Sequence, residues 1–316
     1  MSTFLVTGAA GFIGSNLVGK LVRDGHVVKT IDNYSTGRME NLEPFMDDIE
    51  FVLGDCCEKD LCRSMMKGVD YVLHHAALGS VPRSIDDPFS SVYNNIISTI
   101  TLLVAARDER VKRFIFASSA SVYGNKGKSS PIEYIRGEPI NPYAVTKQCG
   151  EDLCKIFYEL YGMPNIILRY YNVFGPKQNT NSSYSAVIPR MISKMLKDES
   201  PIIYGTGEQV RDFTFVENVI SANLKACYHD FPIGIGEAYN IGCGKPISIN
   251  ALFAYLKEII GFDGQAIHEE ARRGEILASV ADSAKADRIL DWRSSVDVFT
   301  GLKKTVEWYR VNKCQT

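Results

Sequence analysis

The segment Thr7-Gly8-Ala9-Ala10-Gly11-Phe12-Ile13-Gly14 joins an apolar strand pattern at 4–8 to an apolar helical pattern at 12–24. Three glycines at that spacing, between a strand and a helix, leave few folds open. Gly8 permits a tight turn, Gly11 lets the backbone approach a pyrophosphate, and Gly14 lets the helix pack closely on the strand. The free N–H groups at the helix start, together with its positive dipole end, then face an anion. Glycines also punctuate ordinary strand–helix turns, so the motif takes its meaning from Asp32. Asp32 ends the second strand pattern, where a carboxylate accepts hydrogen bonds from both ribose hydroxyls of an adenosine and repels a 2′-phosphate. NAD rather than NADP is the expected cofactor. Asp55, ending the third pattern, fits an acceptor for the adenine amino group. The small residues of His75-Ala76-Ala77-Leu78-Gly79 suit a backbone that passes close to the cofactor.

Strand patterns at 4–8, 27–32, 49–55, 71–76, 113–118 and 165–171 alternate with helical patterns at 12–24, 60–67, 89–108 and 142–161. This alternation predicts an α/β fold with a Rossmann-like, doubly wound parallel sheet covered on both faces. After about residue 173 the rhythm changes. A loop through Gly175-Pro176 and the polar stretch 177–183 leads to a helix at 186–197 and short strands at 202–204 and 210–215. A helix from 217, a strand at 238–242, a helix from 250 and a last helical pattern at 298–312 follow. The expected division falls at residue 173, with both regions contributing to one compact unit and the later segments capping the C-terminal edge of the sheet. Some segments of the second region are expected to return to the first sheet.

Tyr143 and Lys147 form Tyr-x-x-x-Lys, one helical turn apart and therefore on one face. Asn141 serves as N-cap and Pro142 as the first helical residue. A free phenol, with a pKa near ~10, is a poor base at neutral pH, and an adjacent ammonium is expected to lower it. Lys147 supplies that charge. Ser119, at the end of the fifth strand, is the hydroxyl expected to share a hydrogen bond with the reacting oxygen.

Composition closes other routes. The 316 residues are 45% hydrophobic and 23% charged, with net charge −2 and no concentrated basic face, so a small ligand is expected and nucleic acid is not. The start lacks a signal-peptide n-region and no uninterrupted apolar run reaches the length of a membrane span, so a cytoplasmic chain without membrane association is expected. The eight cysteines are scattered, with no Cys-x-x-Cys pair, and read as reduced thiols. No His/Cys cluster has zinc spacing, so no metal is expected; His74 and His75 read as packing residues.

The glycine turn, Ser119, Tyr143/Lys147 and Arg169-Tyr170-Tyr171-Asn172-Val173-Phe174-Gly175-Pro176 together resemble the extended short-chain dehydrogenase/reductase family. Val210-Arg211-Asp212-Phe213 and Tyr239-Asn240-Ile241-Gly242 extend the resemblance essentially from end to end. It implies an NAD-binding domain over 1–173 that includes the catalytic group, a smaller C-terminal α/β substrate-binding region over 174–316, tightly bound NAD, a nucleotide-sugar substrate and a homodimer packed through the helices at 89–108 and 142–161. To the cofactor residues already named it adds Phe12, Ile13, Asn33, Thr36, Gly37, Cys56, Ala76, Ala77, Asn95 and Tyr170, besides Tyr143 and Lys147 themselves.

Within that family, dehydratases and decarboxylases resemble one another in carrying a carboxylate just before Val/Leu-Tyr-Gly. Here the stretch reads Ser119-Ala120-Ser121-Val122-Tyr123-Gly124, with none. C4 epimerisation of a UDP-sugar through a 4-keto intermediate fits what remains. Similarity to UDP-hexose 4-epimerases implies diphosphate contacts from Asn172, Arg211 and Arg272, a ribose contact from Glu275 and uracil stacking on Tyr204. Ser80, Ser119 and Ser121 join the substrate set. Ser279 matches a gate position that is a bulky Tyr in epimerases restricted to plain hexoses. A small residue there leaves room for a 2-acetamido group, so UDP-GlcNAc/UDP-GalNAc is the expected pair. UDP-glucose/UDP-galactose, UDP-glucuronate, a 4,6-dehydration and a non-catalytic NAD-sensing scaffold are the alternatives; the last predicts loss of Tyr143 or Lys147, and both are present.

Overall fold

A computed structural model describes residues 1–124, 132–179, 186–230, 233–271 and 278–312 of the chain. Its strands are β1 (Thr3–Thr7), β2 (Val27–Asp32), β3 (Ile49–Leu53), β4 (Tyr71–His74), β5 (Arg113–Ser119), β6 (Asn165–Tyr170) and β7 (Val173–Phe174). The later strands are β8 (Ile202–Tyr204), β9 (Val210–Asp212), β10 (Thr214–Phe215), β11 (Ala238–Ile241), β12 (Pro246–Ser248), β13 (Ile267–Glu269) and β14 (Ala278–Ser279). Helices α1 (Phe12–Arg23), α2 (Lys59–Met66), α3 (Val81–Asp86), α4 (Pro88–Asp108) and α5 (Pro142–Tyr161) cover the first half. The second half carries α6 (Val187–Met195), α7 (Val216–Tyr228), α8 (Ile249–Ile260), α9 (Ala284–Leu290) and α10 (Val298–Val311).

Seven strands form one parallel sheet in the order β11-β6-β5-β4-β1-β2-β3. The strand order reverses between β1 and β4, and in open α/β sheets ligands bind outside the C-terminal strand ends at that point. Side chains alternate across the sheet because successive Cβ atoms point to opposite faces. Phe4 and Val6 of β1 join the core under α1, α6, α7, α8 and α10, whereas Leu5 joins the core under α2, α4 and α5. Strands covered on both faces are apolar throughout, and all six residues of β6 are buried. Edge strand β3 is only half-buried.

The return of β11 to the sheet brings residues 238–241 beside β6, so the C-terminal half contributes to the first sheet as well as to its own small ones. Those are β12-β9-β14, β13-β8 and β10-β7. The strand pattern at 210–215 resolves into two pieces. β9 pairs antiparallel with β12, while β10 pairs parallel with β7. The break follows Asp212, whose buried carboxylate accepts backbone N–H bonds from Cys243, Gly244 and Ala281 and so ties the chain to two other segments. Helices α3 and α9 have no counterpart in the sequence patterns. α4 is long and apolar enough by length and composition to cross a membrane, but Asn94, Asn95 and Thr99 interrupt its apolar run and half of its most apolar stretch is buried within the protein.

Candidate active site

A groove at the C-terminal ends of β1, β2, β3 and β4 is lined by Gly8, Gly11, Asp32, Asn33, Thr36, Asp55, Cys56, Ala76 and Ala77. The backbone packing shows why glycine stands where it does. Gly8 has φ 66°, and a Cβ on it would lie 2.7 Å from the Ala76 nitrogen. A Cβ on Gly14 would lie 2.1 Å from the Gly8 carbonyl oxygen, so α1 can approach β1 only without one. Gly37 is pressed on Ala10 in the same way, a Cβ falling 2.8 Å from the Ala10 carbonyl carbon. α1 opens at Phe12 and Ile13 with no side-chain cap, which leaves its first N–H groups for an anion.

Asp32 is held rigidly at the groove. Its Oδ2 accepts from the Ala10 amide (2.9 Å) and its Oδ1 from the Tyr34 amide (2.7 Å). Burial pushes this carboxyl above the ordinary range, and the Tyr34 and Ala10 N–H groups pull it back. Each oxygen keeps a lone pair for a ribose hydroxyl. Asp55 accepts from Asn33 Nδ2 (3.0 Å) and from the Cys57 amide (2.8 Å). The cradle, the uncapped helix start and this carboxylate fit a dinucleotide.

The catalytic group stands on α5 and at the end of β5. Asn141 caps α5, its Oδ1 accepting from the Ala144 amide (2.9 Å), and Pro142 takes the first position. The Ser119 hydroxyl stands near enough to the Tyr143 phenol to pull its pKa down against burial. Ser119 Oγ accepts from the Ser121 amide (3.2 Å), and Ser121 Oγ lies 3.0 Å from it. Lys147 Nζ is buried, 5.9 Å from the Tyr143 ring centroid, and donates to the Ala117 carbonyl (2.7 Å). The phenol departs from expectation. Burial raises the Tyr143 pKa, with the Ser119 hydrogen bond opposing, while the buried Lys147 ammonium is itself brought down to about 8. The reason is burial: desolvation disfavours charge on both groups, and the Lys147 ammonium is engaged by the Ala117 carbonyl.

Two residues expected beside the cofactor are occupied elsewhere. Asn95 is buried, its Oδ1 accepting from the Leu78 amide (2.7 Å) and its Nδ2 donating to Thr146 Oγ1 (3.0 Å); its neighbour Asn94 lines the groove instead. The Tyr170 hydroxyl bonds to His75 Nε2 (3.0 Å) and Asn223 Nδ2 (2.9 Å), and its ring stacks on His75. His74 bridges Thr7 and Thr99 through its two ring nitrogens, inside the sheet–helix layer.

A second cavity, of about 330 Å³, brings Asn172, Tyr204 and Arg211 together. Asn172 sits at φ 31° and its Nδ2 donates to the Asp212 carbonyl (3.0 Å). Ser279 on β14 lies in register with Arg211 on β9. Ser80 caps α3 by accepting the Arg83 amide, and Pro82 of that helix forms part of the cavity wall. Arg272 and Glu275 fall outside the described residues. Gln178, Arg190 and Gln209 also line the cavity, and none was singled out from sequence. The Arg190 guanidinium carbon lies 5.8 Å from the Tyr204 ring centroid. Gln178 follows the Gly175-Pro176 bend four residues after β7, and that position was the available signal; Arg190 and Gln209 had none.

The chain matches the NAD dependent epimerase/dehydratase family over residues 4–242. It is 39% identical over 310 residues to a putative UDP-glucose 4-epimerase of Methanocaldococcus jannaschii, covering 98% of each chain. Among solved structures it resembles the UDP-N-acetylglucosamine 4-epimerase of Methanobrevibacter ruminantium, determined with UDP-N-acetylmuramic acid (38% identity, TM-score 0.93, 98% and 99% of the two chains). It also resembles the UDP-glucuronic acid 4-epimerase of Bacillus cereus, determined with UDP-glucuronic acid and NAD (31% identity, TM-score 0.89, 98% and 99% covered). With its parallel sheet, glycine cradle and Ser-Tyr-Lys group, this chain belongs to the NAD dependent epimerase/dehydratase family of extended short-chain dehydrogenases and uses NAD.

Proposed function

We propose that the chain epimerises a UDP-sugar at C4 through a 4-keto intermediate, with UDP-GlcNAc and UDP-GalNAc as the preferred pair. One observation carries the reaction class. Ser119 and Tyr143 stand together at the end of β5 and the start of α5, and residues 119–131 contain no Asp or Glu. Elimination across C5 and C6 would need a further acid and base beside those hydroxyls, whereas epimerisation needs one proton shuttle.

NAD, when bound, supplies the hydride acceptor and donor for sugar C4. Tyr143 takes the proton of the 4-hydroxyl and returns it after the keto sugar has presented its other face. Ser119 shares a hydrogen bond with the same oxygen and is fixed for that by Ser121. Lys147 holds positive charge behind the phenol. Asn172 and Arg211 grip the diphosphate about which the sugar turns, Tyr204 stacks on uracil, and Arg272 and Glu275 complete the nucleotide contacts. The forked guanidinium of Arg211 suits phosphate oxygens.

The N-acetylated pair is favoured by Ser279, a small residue beside Arg211, and by the likeness to a UDP-N-acetylglucosamine 4-epimerase. A plain-hexose reading draws on the Methanocaldococcus relative. We also propose a homodimer. Helices α4 and α5 leave Phe89, Tyr93, Leu160 and Tyr161 exposed, at 78%, 49%, 69% and 52%, and a second copy would cover them.

The test is to incubate the purified protein, without added NAD, with UDP-GlcNAc and separately with UDP-glucose, and to follow both by proton NMR. UDP-GalNAc forming faster than UDP-galactose supports the full reading. Faster UDP-galactose formation removes the substrate assignment, and a 4-keto-6-deoxy product removes the reaction class.

A further inference from the structure

We infer that Ser84 is a positioning residue for Tyr143, tying the helix that walls the sugar cavity to the first turn of the helix that carries the catalytic phenol. The inference rests on the reading of Tyr143 as the proton-transferring group.

The argument begins with the start of α5. The first N–H groups of a helix have no partners within it. Pro142 has no N–H, and Asn141 satisfies Ala144. The N–H of Tyr143 is left over, and Ser84 Oγ accepts it at 3.1 Å. Ser84 is fully buried, and its own proton goes to the Val81 carbonyl (2.7 Å), so the polarity of both bonds is fixed. α5 is thus capped half by its own Asn141 and half by a residue of α3.

The other end of the same short helix faces the substrate. Ser80 caps it and Pro82 borders the cavity. Tyr143 is also held from its carbonyl side. Thr146 Oγ1 donates to the Tyr143 carbonyl (2.8 Å) and receives Asn95 Nδ2, while Asn95 Oδ1 holds Leu78 in the cofactor groove. The peptide groups flanking the catalytic residue therefore reach both ligand sites through segment 78–84. A helix start released at Tyr143 would pivot the phenol relative to Ser119, and reacting groups tolerate little displacement.

The experiment compares Ser84→Ala and Ser84→Cys with Asp297→Ala, which removes the cap of the remote helix α10. Both Ser84 variants should lose about tenfold or more in kcat with KM changed less than twofold. They should keep their NAD, with Tm falling by about 3 °C, as in Asp297→Ala. Ser84→Thr, which keeps the hydroxyl, should recover most of the loss. Tyrosinate absorbance, read against Tyr143→Phe, should show the Tyr143 titration moving to higher pH in Ser84→Ala as the Ser119 hydrogen bond loosens. That second readout needs no epimerase activity, so a wild-type protein inactive on UDP-sugars would sink the proposed function while still testing Ser84. An unmoved titration, kcat within twofold of wild type, or activity lost only in step with NAD would overturn the inference.

Discussion

The groove under residues 8–14 takes its shape from backbone against backbone, whereas the cavity under Tyr204 takes its shape from side chains on β8, β9 and α6. In the glycine turn of the groove, a residue with any Cβ at position 14 collides with the Gly8 carbonyl, so local spacing specifies the turn, while Asp32, Asp55 and Ala76 complete the groove from later strands. In the cavity, Arg211 reaches its place because β9 pairs with β12 on one side and β14 on the other. The turn that anchors the first site is written in one continuous segment. The second is written in strands of two or three residues whose partners lie far along the chain.

The largest effect sharpens the boundary between the two. Tyr143→Phe should lower kcat by about 10²–10⁴-fold, the range for removing a general acid–base, and leave NAD content and UDP-sugar affinity near wild type. Rapid-quench product analysis beside cofactor extraction measures both. Comparable activity in the variant would mean that the phenol does not move the proton.

Next comes the buried pair that anchors α5 to the sheet. Arg169 Nη2 lies 2.6 Å from Glu151 Oε2 and Nε 2.9 Å from Oε1, with Tyr123 OH on Nη1 and Ser118 on the carboxylate. Glu151→Ala strands a buried guanidinium and should cost about 3–5 kcal/mol by urea denaturation. A loss under 1 kcal/mol would show that water reaches the site.

Gly14→Ala tests the groove itself. Its cost should be about 1–3 kcal/mol of overpacking, accompanied by NAD release on gel filtration. Gly261→Ala offers the contrast: a Cβ there meets nothing within 4 Å, and only its φ of 75° opposes the change.

Ser279→Tyr probes the cavity and should be smaller. UDP-GlcNAc turnover should fall about tenfold relative to UDP-glucose, the scale on which one side-chain obstruction discriminates substrates. An unchanged ratio would detach Ser279 from substrate choice.

The gentlest perturbation is pH. Lys147 falls from its ordinary 10.5 to about 8, so its ammonium is present below about pH 8 and lost above it. Activity that depends on that charge should decline through this point. The stability sign is opposite. Between about 8 and 10.5 the unfolded chain holds the proton that the folded chain has released, so stability from this group rises with pH. Lys147→Met should therefore gain most over wild type below pH 8, and thermal melts across the range measure it.

What was legible in the sequence follows the same division. The order of the six strands from β1 to β6, the cradle glycines, Asp32 and the Tyr143/Lys147 pair depend on spacing within one element, and spacing is visible. The directions of hydrogen bonds between elements are not. Asn95 looks like a cofactor ligand on α4, yet Leu78 and Thr146 occupy its amide. The phenol of Tyr143 looks as though Lys147 should lower it, yet burial raises it, and the Ala117 carbonyl engages the ammonium. Strand 210–215 reads as one run because Val210, Phe213, Thr214 and Phe215 suit a sheet, and its two different partners divide it after Asp212. Arg190 and Gln209 reach the cavity through packing that no local pattern encodes.

The central claim, epimerisation at C4 with the hydrogen kept within the active site, is tested most directly with UDP-GlcNAc deuterated at C4 and no added NAD. The account predicts UDP-GalNAc carrying the deuterium at C4. Product lacking it, or deuterium recovered at C6, would contradict the account.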